Sequence, residues 1–71
     1  SRKAKKKTIK IHRLDDALAF IKLGKKVYIT VITKNSSLCG EIKNITDNHI
    51  IFGTNKVLLN EILDLTINLV K

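Results

Sequence analysis

The segment NSSLCGEIKNITDNHIIF, residues 35–52, has the composition of two β-strands, with a glycine inside the first strand and a polar stretch between the two. Leu38, Gly40 and Ile42 share one face of a strand with a period of two, but the next apolar residue, Ile45, has the opposite phase. This one-residue shift predicts a β-bulge or sharp bend near Lys43 and Asn44. Because Gly40 has no side chain, it allows the strand to curve and allows another backbone to approach closely.

Further strands are predicted on both sides of this segment. VYITVIT, residues 27–33, is rich in β-branched residues and precedes a K-N-S-S turn. After the polar stretch, the segments HIIFG, VLLN and ILDLTINLV predict three more strands. In the last of these, four apolar residues alternate with polar ones and predict a single buried face: Leu63, Leu65, Ile67 and Leu69.

A single helix is predicted before the strands. Leu14, Ala17, Leu18 and Ile21 follow the spacing i, i+3, i+4 and i+7, which is typical of an amphipathic helix, and Gly24 marks its end. Two aspartates, at 15 and 16, occupy the positions of an N-cap and a first-turn acid. We therefore expect a mainly β fold, in which a short N-terminal α-helix precedes a strongly bent five-stranded antiparallel sheet, a small open barrel.

Length and composition exclude several classes of protein. With 71 residues, the chain makes at most one domain of marginal stability, so help from a partner subunit is plausible. The single cysteine excludes an internal disulfide, and two separated histidines lack zinc-ligand spacing. No apolar run approaches the roughly 20 residues of a membrane helix. We expect a cytoplasmic protein without cofactor or metal. We also expect it not to be an enzyme, because no catalytic grouping is evident.

The positive charge is concentrated at the start of the chain. Residues 1–13 carry seven basic and no acidic side chains, whereas residues 14–71 carry seven basic and six acidic ones, so the two parts contribute +7 and +1 to the net charge of +8. We therefore divide the chain into a basic N-terminal arm (1–13) and a domain (14–71). The lysines of the arm, which suit a phosphate backbone, are Lys5, Lys6, Lys7 and Lys10. A disordered tail that only aids solubility is the alternative. TIKIH, residues 8–12, alternates like a short strand.

These motifs together resemble a known family. LDDAL at the helix start, KLGKK at its end, VYITVIT, LCGEI, TDNHIIF and VLLNEILDLTI are similar to the corresponding parts of the Hfq branch of the Sm-like (Lsm) RNA-binding proteins. The resemblance implies a Sm-like fold of one helix and five strands that closes into a homohexameric ring. It also implies binding of single-stranded, U-rich RNA, and a role as an RNA chaperone in post-transcriptional regulation by small RNAs.

Two groups of residues are candidates for RNA contact. For the base, His49 is a stacking candidate, Asn48 and Asn60 can bond a uracil edge, and Asp47 can hold the loop; the alternative is that residues 47 and 48 form only a hairpin turn. For the phosphates, a basic rim at the helix end comprises Lys22, Lys25 and Lys26, and the alternative is that these lysines only complement the helix dipole.

The predicted partners are single-stranded RNA and further copies of the same chain. Two other functions fit the sequence. One is a small basic SH3-like barrel that binds DNA or ribosomal RNA, and the other is a protein-interaction domain that uses an exposed strand edge.

Overall fold

A computed structural model describes residues 8–70, with Thr8 described for its backbone only. The described part of the chain is mainly β, with 58% of its residues in strands and one α-helix. The elements are β1 (Thr8–Ile11), α1 (Leu14–Lys22), β2 (Val27–Thr33), β3 (Ser37–Ile45), β4 (His49–Phe52), β5 (Asn55–Leu58), a 3-10 turn (Leu59–Glu61) and β6 (Ile62–Val70). None of the helices in the described residues is long and apolar enough to cross a membrane.

The strands form one antiparallel sheet in the order β1-β6-β2-β3-β4-β5. The five predicted strands are present as β2 to β6. The predicted number of strands was wrong by one, because the segment TIKI forms a sixth strand, β1, which pairs with β6. Ile9 pairs with Leu69 and Ile11 pairs with Ile67, so the alternation of this segment buries Ile11 in the core. The sheet is not closed, and its two edges are β1 and β5.

Strand β1 lies in the range assigned to the basic arm. The sheet therefore begins at Thr8, and Lys10 belongs to a strand. Residues 1–7, which include Lys5, Lys6 and Lys7, lie outside the described part of the chain.

Strand β3 pairs with two neighbours in succession along its length. Its first half pairs with β2, as in Ile29 with Gly40, and its second half pairs with β4. The pairing with β4 shifts register between Ile42 and Asn44, which confirms the predicted bulge. The predicted close approach is also confirmed, because a Cβ atom on Gly40 would lie 3.1 Å from the backbone nitrogen of Gly53.

Helix α1 packs against β1, β2 and β3, and its own Ala17 is fully buried. Asp15 and Asp16 both lie in the first turn, whereas Arg13 occupies the N-cap position without a side-chain cap. The helix ends at Lys22, and Gly24 follows it as the predicted stop, in a left-handed conformation with φ of +84°. The Gly24 N–H donates to the Ile21 carbonyl over 2.9 Å, and the Lys25 N–H donates to the Phe20 carbonyl over 3.0 Å. These two bonds make a Schellman motif, which fixes the backbone of Lys25.

The core lies between the inner face of the sheet and the helix. Its buried side chains are Ile11, Ala17, Val27, Ile29, Val31, Ile42, Ile50, Phe52, Val57, Ile67 and Leu69. Leu63 was predicted to lie on the buried face of the last strand, but it is 71% exposed. The register of β2 with β6 passes from Ile32 opposite Asp64 to Thr33 opposite Ile62, so Leu63 is the extra residue of a β-bulge.

Candidate nucleic-acid interface

The loop between β3 and β4 is a tight turn held by a threonine. The Thr46 hydroxyl accepts hydrogen bonds from the backbone N–H groups of His49 over 3.0 Å and Asn48 over 3.3 Å. The Thr46 N–H in turn donates to the His49 carbonyl over 2.9 Å. Asp47 was expected to hold this loop, but the side-chain acceptor within residues 8–70 is Thr46. A hydroxyl residue three positions before the strand start is a known turn former, and that signal was available in the sequence.

The loop meets the 3-10 turn that precedes β6. The Leu59 N–H donates to the Asn48 carbonyl over 2.8 Å, so the two segments are joined through their backbones. A cavity of about 260 Å³ lies at this junction. Its lining residues include all four that were predicted to contact a base, together with two leucines: Asp47, Asn48, His49, Leu58, Leu59 and Asn60. Residues that are 11 positions apart in the chain therefore share one concave site.

The polar side chains of this loop cavity are accessible. Asp47, Asn48 and Asn60 are exposed, and His49 is half-buried. The two amides each supply donors and an acceptor, the carboxylate accepts, and the imidazole offers a flat face beside the apolar leucines. Such a combination can hold a planar heterocycle with a donor-acceptor edge.

A second cavity, of about 350 Å³, adjoins the first through Asn60. It also contains Lys34 and Asn35 from the turn between β2 and β3, together with Glu61. Lys34 was not among the predicted site residues. Its place near Asn60 depends on the pairing of β2 with β6, which brings Thr33 opposite Ile62. The lysine supplies a cation next to the loop cavity, and Glu61 supplies an opposing carboxylate.

The predicted basic rim lies at the other end of β2. Lys22, Lys25 and Lys26 are exposed at the helix end, and Lys26 directly precedes β2, whereas Lys34 directly follows it. A seven-residue strand spans about 20 Å, so the rim and the loop cavity are separate surfaces. Lys10 lies at the rim end, because its neighbour Ile9 and residue Val27 both pair with Leu69.

These lysines are not neutralised within the described part of the chain. The ion pairs there are Arg13 with Asp15 over 3.5 Å and Lys43 with Glu41 over 3.8 Å. All four side chains at the rim end, Lys10, Lys22, Lys25 and Lys26, are therefore available to an external anion.

Tyr28 is an exposed aromatic residue that the sequence reasoning did not single out for a role. It lies on the outer face of the sheet, 40% exposed, with Asn68 beside it on β6 and Lys10 beyond Asn68 on β1. The sequence signal for the exposure of Tyr28 was its position in an alternating strand, next to Val27, which is buried. An aromatic ring on an exposed sheet face can stack a base.

No group of three or more histidine, cysteine, aspartate or glutamate residues within residues 8–70 is placed to hold a metal ion. Cys39 is a free cysteine on the exposed side of β3.

Protein-family models, curated proteins and solved structures were each compared with the chain. None of the three comparisons gave a match. The grounds for assigning a function are therefore the loop cavity, the arrangement of the strands and the distribution of charge.

Proposed function

We propose that the chain is a single-stranded RNA-binding protein with a Sm-like fold of the Hfq type, which assembles into a homo-oligomeric ring and binds U-rich RNA without catalysis. The observation that carries this proposal is the loop cavity. Residues from two separate segments, Asp47 to His49 and Asn60, were predicted to contact a base, and they line the same concavity.

The chemistry of the loop cavity suits uracil. The His49 ring stacks on the base, and base stacking on a flat side chain contributes about 1–3 kcal/mol. The Asn48 and Asn60 amides bond the carbonyl and N–H groups of the uracil edge, and the Asp47 carboxylate accepts from an N–H. Lys34, in the adjoining cavity, lies where it can neutralise a neighbouring phosphate.

The arrangement of the elements supports the resemblance to the Sm-like proteins. Helix α1 and the strands β2 to β6 follow the helix-then-five-strand order of that family, and β1 is an additional strand before the helix. In the proposed ring, β5 of one copy pairs with β6 of the next. Because β1 already pairs with residues 67–70 of β6, the segment left for a neighbouring copy is Ile62–Thr66. Lys56 in β5 and Asp64 in β6 supply opposite charges for this contact.

Assembly explains how so small a chain holds RNA. A single loop cavity of about 260 Å³ accommodates little more than one base. A closed ring repeats the cavity around its axis, and the same strand is then bound at several points. The net charge of +8 per copy adds a field that attracts polyanions.

The direct test compares U-rich with A-rich single strands at fixed salt by fluorescence anisotropy. Asn48→Ala and Asn60→Ala should each weaken binding of the U-rich strand by about 1–3 kcal/mol and affect the A-rich strand less. Asn44→Ala is a matched control, because Asn44 is an exposed asparagine in β3 outside the cavity lining. Equal losses on both strands would show that residues 47 and 48 form only a turn.

Mass in solution tests the assembly independently. Native mass spectrometry should show a closed ring, with six subunits expected from the Hfq resemblance. A stable monomer at micromolar concentration would refute the ring, and tighter binding of duplex DNA than of RNA would favour an SH3-like DNA-binding barrel instead.

A further inference from the structure

Strand β1 is an outermost strand of the sheet and has one free edge. It pairs with β6 on one side, and no other strand of residues 8–70 pairs with it on the other side. In an antiparallel ladder, alternate residues direct their backbone N–H and C=O groups to opposite sides, so some of these groups point away from β6. The segment TIKI contains no proline, and its register with β6 is regular. The free edge of β1 can therefore accept the backbone of another strand.

The core side of β1 is left open at Ile9. Ile9 and Ile11 lie on the same face of β1, because they are two residues apart and pair with the buried Leu69 and Ile67. Ile11 is 6% exposed, whereas Ile9 is 42% exposed. A core-facing isoleucine with this exposure indicates that the core lacks a cover at this end of the strand.

A cavity of about 370 Å³ adjoins the exposed isoleucine. Its lining combines apolar residues with a single cation: Ile9, Phe20, Leu69, Val70 and Lys25. The Lys25 N–H donates to the Phe20 carbonyl over 3.0 Å, and Ile9 pairs with Leu69, so both sides of the cavity belong to ordered backbone. A strand added at the edge of β1 would direct every second side chain to the core side of the sheet, where this cavity lies.

The opposite face of β1 carries a cation, Lys10. This lysine is exposed and lies beside Asn68 of β6. Among residues 8–70, neither Lys10 nor Lys25 forms an ion pair. Two copies of β1 that paired edge to edge would place both Lys10 side chains on the same face of a four-residue ladder. The charge therefore disfavours pairing of β1 with itself and favours a strand that carries carboxylates.

We propose that the free edge of β1 is a docking site for an extended segment of another protein, in which apolar side chains alternate with acidic ones. The segment pairs with β1 as an additional strand of the sheet. Its apolar side chains cover Ile9 and enter the cavity, and its acidic side chains lie on the outer face beside Lys10. The backbone hydrogen bonds supply affinity, and the two different faces of the edge select the sequence.

The two faces of this edge together identify the occupant. A nucleotide strand has no row of N–H and C=O groups at the spacing of a β-strand, so it would leave the backbone of β1 unpaired. An amphiphile could fill the cavity, but it would not reach Lys10 on the other face of the sheet. A polypeptide strand presents side chains to both faces at once. The docking site goes beyond the proposed function, and it is separate from the segment Ile62–Thr66 that the proposed ring uses.

Peptide titration followed by NMR on the full chain tests this docking site. The probe is a short peptide of alternating leucine and glutamate, and the control peptide has lysine in place of glutamate. The leucine–glutamate peptide should shift the amide signals of β1 and the methyl signals of Ile9 and Leu69, and it should slow hydrogen exchange at the β1 amides. The leucine–lysine peptide should cause much smaller changes. Strand β5 is the internal control, because it is the other outermost strand and also carries a lysine, Lys56.

Backbone methylation of the peptide separates strand pairing from charge attraction. Methyl groups on alternate peptide nitrogens block one edge of the added strand, so a peptide methylated at its leucines is compared with one methylated at its glutamates. One version should bind about 10-fold more weakly and the other should keep its affinity, because a single edge of the peptide faces β1. Equal effects of the two methylations, or equal shifts at β1 and β5, would overturn the proposal. A short oligouridylate that shifts the β1 signals as the peptide does would assign the edge to nucleic acid and would also overturn it.

Variants of the two faces give a second measurement. Lys10→Glu should weaken binding of the leucine–glutamate peptide by about 3-fold to 30-fold and strengthen binding of the leucine–lysine peptide, because it reverses the charge across the added strand. Lys43→Glu is the matched control, because Lys43 is an exposed lysine of β3, and two strands separate β3 from β1.

The apolar face is tested in the same way. Ile9→Ser should weaken binding of the leucine–glutamate peptide, whereas Ile32→Ser should not, because Ile32 is also 42% exposed but belongs to β2. A thermal melt checks that each variant is folded. Unchanged binding by folded Lys10→Glu and Ile9→Ser variants would refute the docking site.

The outcomes of these experiments are distinct from those of the RNA experiment. If U-rich RNA binds and depends on Asn48, but no peptide shifts the β1 signals, the chain binds RNA and the docking site is refuted. If the leucine–glutamate peptide pairs with β1 and no RNA binds, the docking site is supported and the proposed function fails.

Discussion

Gly40→Ala tests the contact on which the bend of the sheet depends. A Cβ atom at this position would lie 3.1 Å from the nitrogen and 3.2 Å from the Cα atom of Gly53, and 3.5 Å from the carbonyl carbon of Phe52. Every one of these neighbours is backbone. Gly53 has a positive φ of 56°, and its N–H donates to the Glu41 carbonyl over 2.9 Å, so its position is constrained from two sides. Phe52 is fully buried and cannot move outward without opening the core.

Two opposing terms determine the size of the effect. Insertion of a methyl group into a closely packed site costs about 1–3 kcal/mol. Alanine recovers about 0.5–1 kcal/mol relative to glycine in a strand, since it loses less conformational freedom on folding. The difference predicts a net loss of about 1 kcal/mol of unfolding free energy, which lowers the Tm of a domain of this size by about 4–8 °C.

Thermal and urea denaturation followed by circular dichroism measure this change. Cys39→Ala is the matched control, because Cys39 is the adjacent exposed residue of the same strand and its truncation should alter the unfolding free energy by less than about 0.5 kcal/mol. The reasoning predicts that Gly40→Ala melts below both the wild type and the control. A Gly40→Ala variant as stable as the wild type would show that the two strands separate freely at this point and that the close approach does not fix the bend.

Two further predictions concern the arm and the assembly. Deletion of residues 1–7 removes five basic side chains but leaves β1 intact, so it should make the dependence of log K on log salt shallower without unfolding the domain; an unchanged slope would mean that the arm does not contact phosphate. Lys56→Asp and Asp64→Lys should each lower the mass seen by light scattering, because each places like charges across the proposed β5–β6 junction, and the double variant should restore it. Failure of the double variant to recover the assembly, although each single variant loses it, would rule out this pairing.

Local patterns of the sequence were sufficient to predict most of the elements. The phase shift between Ile42 and Ile45 predicted the bulge in β3, because a period of two assigns each residue to one face. The spacing of apolar residues and the position of Gly24 likewise predicted the helix and its end, since helix periodicity and a left-handed C-terminal residue are local properties. The six-stranded sheet also includes TIKI, whose alternation was noted but whose partner strand was not predicted.

The remaining features depend on the register between distant strands. Leu63 points outward because the β2–β6 pairing skips one residue near Thr33, and alternation within β6 contains no sign of this. Lys34 reaches the neighbourhood of Asn60 through the same pairing. The cavity lined by Ile9, Phe20, Lys25, Leu69 and Val70 joins β1 and the end of α1 to residues of β6 that lie more than 40 positions later in the chain. A pattern within one segment cannot specify such a site, because pairing register is set by the packing of both partners.

Strand β1 covers only part of one edge of β6, and so limits where another strand can pair with it. An unpaired strand edge invites association, and natural sheets blunt such edges with short strands and lysines. The two outermost strands, β1 and β5, have four residues each and carry Lys10 and Lys56.

The segment Ile62–Thr66 of β6 is different, because it extends past the end of β1, lacks lysine and exposes Leu63 to 71%. A neighbouring copy that pairs there gains an apolar contact at an edge with which no other strand of residues 8–70 pairs. Since β1 restricts the contact to this short segment, we expect each junction to be weak alone and a closed ring, in which every copy makes two junctions, to be far more stable than an open chain.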